Sequence, residues 1–188
     1  MGAFAALPLV QSVSAQTTSQ SLDSGWRFRL AQTDSHAKDH RDATHWHTAT
    51  VPGMVQADLL SAKLMPDPYY RDNEAKVQWV GLSDWEYETT FTVDRATLQH
   101  DHVDLVFDGL DTFADVYLNG NKLTSTDNMF RHWRLPVKQA LHEGKNMLEV
   151  RLYSPIARMQ PWLLKQPYAL PGEFDSAFGD EPKGKQTA

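Results

Sequence analysis

Two stretches decide the fold of this chain: DPYYRDNEAKVQWVGLSDWEYETTFTV at residues 67–93 and VDLVFDGLDTFADVYLNG at residues 103–120. From residue 85 onward, apolar residues alternate with polar ones, which places the aromatic side chains on one face of a strand and Glu86 and Glu88 on the other. The pattern predicts a half-buried antiparallel strand whose aromatic face is core and whose glutamate face is wet.

The same period of two recurs along the chain and predicts further strands in residues 25–30, 103–107, 114–118, 130–135 and 148–152. Asn119-Gly120 supplies the positive backbone dihedrals of a tight hairpin turn, and residues 54–64 carry apolar side chains at helical spacing. We therefore predict an all-β fold for residues 21–154: an antiparallel β-sandwich of jelly-roll type, galactose-binding-domain-like, with one or two short helices.

The two ends of the chain differ from this middle part. Residues 4–10 are apolar and residues 12–15 resemble a small-residue cleavage site, although a basic n-region is missing. This predicts a partial signal peptide or a disordered tail over residues 1–20 and a periplasmic or secreted protein, with a cytoplasmic location as the alternative. Repeated prolines after Tyr153 predict no regular element in residues 155–188, which we interpret as a truncated linker towards missing domains.

Composition excludes several classes of function. The 188 residues suffice for one domain, and the net charge of -6 with no cluster of Lys or Arg excludes nucleic acid and membrane as expected partners. Without cysteine there is no disulfide framework and no thiolate site. No phosphate-binding loop, zinc-binding helix or nucleophile elbow is present, so we expect no cofactor, no metal and no catalytic residue in this chain.

Two groups of polar residues are of the types that serve in catalysis or metal binding, and we favour a plainer interpretation of both. Glu86 and Glu88 are two residues apart on one strand face, about 7 Å from each other. Because that face should be wet, we expect solvated glutamates rather than an acid/base pair. The remaining group is a run of histidines that we interpret as a solvated polar loop rather than a metal site: His36, His40, His45 and His47.

Aromatic residues give the one positive signal for a binding site. Sugar rings dock their CH faces on Trp and Tyr while Asp and Asn bind the hydroxyls, and Tyr69, Tyr70, Trp79 and Asp84 have that mix. An equally good interpretation is that the three aromatic side chains are buried under the loop of residues 64–83 or lie in a domain interface. We expect these three side chains to lie together on that loop at one edge of the sandwich.

At these residues the chain resembles the N-terminal domain of family 2 glycoside hydrolases, and most closely that of β-mannosidases. The matching stretches are LDSGWRF at 22–28, ATVPG at 49–53, residues 67–91, FDGLDTFADVYLNG at 107–120, NMF at 128–130 and GKNMLEVRL at 144–152. The VYLNG hairpin is common across the wider family, whereas DPYYRDNE followed by QWVGLSDWEYETTF points to the mannosidase branch.

The resemblance implies a sugar-binding-type domain that precedes an immunoglobulin-like domain and a (β/α)8 barrel in complete enzymes. That barrel carries both catalytic glutamates, so the chain alone is expected to be inactive, with mannosides and the missing barrel as partners in the full-length enzyme. The implied function is that of an exo-acting retaining β-mannosidase. An autonomous carbohydrate-binding module is the alternative, and a structural fragment without a ligand is a third.

Overall fold

The computed structural model describes residues 18–165. Within that part, the strands are β1 (Arg27–Leu30), β2 (His47–Thr48), β3 (Trp85–Val93), β4 (Asp104–Phe107), β5 (Phe113–Leu118), β6 (Asn121–Asp127), β7 (Trp133–Pro136) and β8 (Gly144–Tyr153). The α-helices are α1 (Val55–Ser61), α2 (Asn73–Val77), α3 (Trp79–Leu82), α4 (Arg95–Gln99) and α5 (Pro155–Leu163). Three single-turn 3-10 helices lie at Ser35–Lys38, Arg41–Thr44 and Lys138–Ala140.

The strands form two antiparallel sheets. The larger sheet has six strands in the order β2-β1-β3-β8-β5-β6, and β4 pairs with β7 in the smaller sheet. The central pair is the longest, because β3 and β8 are in register from Trp85↔Leu152 to Val93↔Gly144. The predicted antiparallel all-β fold is confirmed, and the Asn119-Gly120 hairpin joins β5 to β6 with φ values of 52° and 77°.

The core lies between the larger sheet and the elements that cover its inner face. Phe28 is completely buried, and its ring lies 6.1 Å from that of Trp85 and 5.8 Å from that of Tyr87. The smaller sheet adds Leu105, and α1 adds Leu59. These contacts follow from the alternation along each strand, which turns every second side chain towards the same layer.

The α-helices are more numerous than the sequence pattern indicated, and one of them corrects a prediction. Residues 155–163 form α5, so the expectation of no regular element after Tyr153 is wrong there. Pro155 occupies the first turn, where proline lacks only an N–H that has no partner inside the helix, and the Ser154 hydroxyl accepts a hydrogen bond from the Ala157 N–H at 3.1 Å. The predicted signal segment before residue 18 and the linker after residue 165 lie outside the described residues.

No helix between residues 18 and 165 is both long enough and apolar enough to cross a lipid bilayer.

Candidate functional site

Two of the residues predicted to bind sugar, Tyr69 and Tyr70, point into solvent. They lie in the turn that precedes α2, with 96% of Tyr69 and 57% of Tyr70 exposed. The Tyr69 N–H donates to the Asp67 carboxylate at 2.9 Å, and the Arg71 guanidinium lies 5.1 Å from the centre of the Tyr70 ring. The turn is therefore held by local contacts and leaves both rings accessible.

Trp79 is placed differently, because it packs inward from α3. Its ring stacks on the His40 imidazole at 3.6 Å with an interplanar angle of 10°, and it lies 5.7 Å from the core residue Trp85. Burial lowers the pKa of His40, with the Asp39 carboxylate opposing that shift and His36 adding to it. No ring contact joins Trp79 to either tyrosine within residues 18–165, so the structure does not bring the three aromatic side chains into one platform.

Asp84 holds the start of β3 in place. Its Oδ1 accepts a hydrogen bond from the Ser154 N–H at 2.8 Å, and its own N–H donates to the Asp34 carboxylate at 2.8 Å. Burial raises the pKa of Asp84; the Ser154 N–H opposes this shift and the Asp34 carboxylate reinforces it. Through its carboxylate and its backbone N–H, Asp84 thus connects the start of β3 to the segments around Ser154 and Asp34, and its role in the described part of the chain is structural.

The histidines do not form a metal centre. His36 Nδ1 lies 2.9 Å from Asp34 Oδ1 and 3.1 Å from Ser83 Oγ, while His47 Nε2 lies 2.8 Å from the Asp42 carbonyl oxygen. Between residues 18 and 165, no group of three or more His, Asp or Glu side chains is arranged to hold a metal ion.

The outer face of the larger sheet corrects another prediction, because Glu86 and Glu88 are not solvated. Only 14% of the Glu86 side chain and 9% of the Glu88 side chain are exposed. They belong to two rows of residues that run side by side across five strands. The Glu88 row is Arg27, Glu88, Glu149, Tyr117 and Lys122, and the Glu86 row is Arg29, Glu86, Arg151, Asp115 and Ser125.

Ion pairs explain this burial. Arg29 Nη2 lies 2.7 Å from Glu86 Oε2, Arg151 Nη2 lies 2.6 Å from Glu86 Oε1, and Arg27 pairs with Glu88. Both oxygens of Glu86 are thus held by arginines, which does not suit an acid/base catalyst that must exchange a proton with substrate. The prediction that this face of the strand is exposed to solvent was wrong, because the arginines that cover it come from strands distant in sequence.

A groove of about 290 Å³ opens on this face. Its lining includes four charged side chains, Arg29, Glu86, Glu149 and Arg151, together with the aromatic Trp46 and Tyr117. The Arg29 guanidinium lies 4.3 Å from the centre of the Trp46 ring. Sequence reasoning missed this site, although the alternation of Glu149 with Arg151 in β8 placed both charges on one face.

Comparison with known proteins identifies the domain. Residues 26–185 match the family described as "Glycosyl hydrolase 2 galactose-binding domain-like". The chain belongs to this family. The resemblance seen in the sequence is thereby confirmed, and so is a galactose-binding-like β-sandwich as the fold.

This galactose-binding-like domain of the glycosyl hydrolase 2 family is similar to several β-mannosidases. It is 38% identical to Beta-mannosidase of Bos taurus, over 57% of this chain and 12% of that protein, and 37% identical to Beta-mannosidase B of Aspergillus terreus, over 79% and 17%. A crystal structure of Beta-D-Mannosidase from Dictyoglomus thermophilum has a TM-score of 0.71 and 39% identity, over 88% of this chain and 19% of that one. A β-glucuronidase from Ruminococcus gnavus shares the fold, with a TM-score of 0.53 and 20% identity. That similarity covers 72% of this chain and 20% of the β-glucuronidase.

The glycosyl hydrolase 2 domain spans a small part of these proteins. The alignments cover 12% to 17% of the length of the curated relatives.

Proposed function

We propose that this chain is the N-terminal domain of an exo-acting retaining β-mannosidase, an enzyme that hydrolyses terminal β-D-mannosyl residues. The observation that carries the proposal is the similarity to the Dictyoglomus thermophilum β-D-mannosidase, which extends over 88% of this chain at 39% identity. In the complete enzyme, hydrolysis takes place on a catalytic barrel outside this chain. The domain described here serves as scaffold and as a wall of the active site.

The chemistry of the described residues fits a supporting role. Retaining hydrolysis of a glycoside requires two carboxyl groups about 5 to 5.5 Å apart, one of them free to give and take a proton. Glu86 is engaged by two arginines, and Glu88 is paired with Arg27. The isolated chain is therefore expected to leave an aryl β-D-mannoside unhydrolysed.

A domain exchange tests the proposal. Residues 22–165 replace the matching domain of the Dictyoglomus thermophilum β-D-mannosidase, and the same enzyme with that domain deleted is the control. We expect the chimera to hydrolyse an aryl β-D-mannoside in preference to the matching β-D-glucuronide, and the deleted enzyme to be inactive. A chimera that folds, as judged by a cooperative melt, and that does not hydrolyse the mannoside would contradict the proposal, as would turnover by the rigorously pure isolated chain.

An autonomous carbohydrate-binding module is the second candidate. The exposure of Tyr69 and Tyr70 favours it, because exposed aromatic rings are the surfaces on which sugar rings dock. This candidate predicts retention on mannan in affinity electrophoresis that Tyr69→Ala and Tyr70→Ala abolish. Retention that is unchanged in both variants would remove it.

We also propose a jelly-roll connectivity and a location outside the cytoplasm. From β4 to β8, the chain passes from the smaller sheet to β5 and β6 of the larger one, back to β7, and again to the larger sheet, which supports the jelly roll. The apolar run of residues 4–10, followed by small residues, supports periplasmic or secreted localisation. Fractionation with N-terminal sequencing tests the location, and a cytoplasmic protein that retains residues 1–15 would overturn it.

A further inference from the structure

The smaller sheet has two free edges in the part of the chain that the structure describes. β4 and β7 have only each other as strand partners there. A sheet of two strands is smaller than usual, since most sheets contain about four to six. A strand added at one of these edges would therefore extend the smaller sheet towards a common size.

The pairing with β7 determines which backbone groups of β4 are left over. The Val137 N–H donates to the Val103 carbonyl oxygen at 2.9 Å, one position beyond the register pair Asp104↔Pro136. Hydrogen-bonded pairs alternate with non-bonded pairs along an antiparallel ladder, so Asp104 and Val106 belong to non-bonded pairs. Their N–H and C=O groups therefore point away from β7, and none of these groups has a hydrogen-bond partner between residues 18 and 165.

The free edge of β7 is protected, whereas that of β4 is open. At the positions opposite Asp104 and Val106, β7 carries Pro136, which has no N–H to donate, and the charged Arg134. Proline and charged side chains are the usual protection of an edge strand. In β4, by contrast, Val106 is apolar and 47% exposed, and the charge of Asp104 is paired with Arg134 at 2.8 Å. β4 is thus the edge of the smaller sheet that can accept another strand.

A second copy of β4 fits this edge in an antiparallel arrangement with two-fold symmetry. With Leu105 of one copy opposite Leu105 of the other, the outward-pointing backbone groups of Asp104 face those of Val106, and each such pair can exchange N–H···O bonds. On the core-facing side, where Val103 and Phe107 pack against the core, this register places Val103 opposite Phe107 of the other copy. An aromatic residue beside a β-branched one is a favourable cross-strand pair.

The charges on the exposed side of β4 select this register over its neighbours. In it, Asp104 lies opposite the uncharged Val106 of the other copy. The next exposed position brings His102 opposite Asp108, a hydrogen-bond donor beside a carboxylate, and both side chains are exposed in the single chain. A slide of two residues in either direction would instead place Asp104 opposite Asp104 or Asp108 of the other copy, and like charges in that position are unfavourable.

We propose that the chain associates as a two-fold dimer through β4, which joins the two smaller sheets into one sheet of the order β7-β4-β4-β7. Addition of a strand to an open sheet edge is a common mode of protein association. The proposal goes beyond the hydrolase function and does not depend on it. Because β4 is only four residues long, the dimer is weak, and we expect a dissociation constant on the order of 100 µM.

Sedimentation equilibrium of the whole chain, from about 10 µM to about 1 mM, tests the proposal. The mean mass should rise with concentration from that of a monomer towards that of a dimer. Amide hydrogen exchange provides a second readout, because the N–H groups of Asp104 and Val106 should become protected only at the higher concentrations. The Leu105 amide, which faces β7, should be protected at both.

Variants at one exposed position test the register. Val106→Asp puts a carboxylate opposite Asp104 of the other copy and should weaken association about tenfold or more. Val106→Lys puts an ammonium group there and should leave association unchanged or strengthen it. Asn121→Asp adds the same negative charge to the edge strand β6 and is the matched control, with no effect expected. Thermal melts verify that all three variants fold.

Three results would overturn the proposal. The first is a chain that remains monomeric at about 1 mM. The second is association that folded Val106→Asp and Val106→Lys variants weaken equally, or that neither changes. The third is protection of the Asp104 and Val106 amides that does not depend on concentration, which would show that another part of the same chain occupies the edge. The outcome of the domain exchange has no bearing on these measurements, so the two proposals fail separately.

Discussion

At the scale of single residues, buried polar contacts join the elements of the fold. Asp58 of α1 is 2% exposed, and its carboxylate accepts hydrogen bonds from the Thr50 N–H at 2.9 Å and from the Tyr87 hydroxyl at 3.0 Å. Burial, together with the adjacent carboxylate, raises the pKa of Tyr87, so the phenol stays protonated and can donate. One carboxylate thus ties α1 to the central strand β3.

Tyr87→Phe should lower the free energy of unfolding by about 1.5–3 kcal/mol, because it leaves one oxygen of a buried carboxylate without its donor. Tyr69→Phe is the matched control: it removes the same hydroxyl from a side chain that is 96% exposed, and should change stability by less than about 0.5 kcal/mol. Urea denaturation measures both. Equal effects of the two substitutions would show that the contact with Asp58 contributes nothing.

Asp115 makes the stability of the domain depend on pH. Burial alone would raise its pKa, but hydrogen bonds from Lys122, Ser125 and Tyr153 outweigh burial and lower the pKa to about 2. In the unfolded chain, an aspartate titrates near 3.9. The stabilisation that the ionised Asp115 carboxylate contributes to the folded state is therefore fully present above about pH 4 and is lost as the pH falls towards 2.

The unfolding free energy of the wild type should consequently fall more steeply between about pH 5 and pH 2 than that of Asp115→Asn, which lacks this titrating group. At about pH 6, the variant should be the less stable protein. Asp101→Asn, at an exposed position without a hydrogen bond in the described chain, should follow the wild type. Denaturant titrations across the pH range provide the measurement, and parallel profiles for wild type and Asp115→Asn would contradict the assignment.

At the scale of elements, α5 illustrates how one cap joins several parts of the fold. The Ser154 hydroxyl accepts from the Ala157 N–H and donates to the Gly81 carbonyl oxygen at 2.7 Å, while the Ser154 N–H donates to Asp84. The helix therefore begins where α3 and the start of β3 meet. Ile156 packs beside Gly81: a Cβ added at Gly81 would lie 3.5 Å from Ile156 Cδ1, which is ordinary van der Waals contact.

Ser154→Ala should destabilise the domain by about 1–2 kcal/mol, since it removes the helix cap and also takes the hydroxyl donor away from the Gly81 carbonyl oxygen. Ser21→Ala, on an exposed serine without a side-chain hydrogen bond in the described residues, is the control and should have no measurable effect. Thermal and chemical denaturation compare the two. A loss of less than about 0.3 kcal/mol in Ser154→Ala would show that water replaces both hydrogen bonds.

At the scale of the whole molecule, the order of strands sets how stability is distributed. β3 and β8 lie in the middle of the larger sheet, each with a hydrogen-bonded neighbour on both sides, whereas β2 and β6 are its edges. Local opening is easiest where a strand has one neighbour and few buried contacts. The central pair should therefore open only with the whole domain.

Amide hydrogen exchange should be slowest in β3 and β8 and faster by at least about tenfold in the outward-facing amides of β6, because edge amides open without global unfolding. The amides of β5 provide an internal comparison, since β5 has two neighbours and should resemble β8. Exchange in β6 as slow as in β8 would mean that the edge strand is protected by a contact that the strand order does not reveal.

The sequence by itself determined the local features of this protein. Strand identity and fold class could be predicted, because the signals for them lie in neighbouring residues. These signals are the alternation along β3 and β8, the Asn119-Gly120 turn and the apolar spacing of α1. The start of α5 was also readable, because Ser154-Pro155 is a helix-initiating pair. The further prolines at 161, 167, 171 and 182 favour a chain without regular structure and so oppose that signal.

Only the tertiary structure decided which polar and aromatic side chains are buried. Glu86 is shielded from solvent by Arg29 and Arg151, which are 57 and 65 residues away in the sequence. Trp79 packs inward against His40, which belongs to a different loop. The groove likewise needs four strands to meet. Local patterning specifies the face on which a side chain lies, but burial depends on what covers that face, and the covering groups are brought there by the pairing of distant strands.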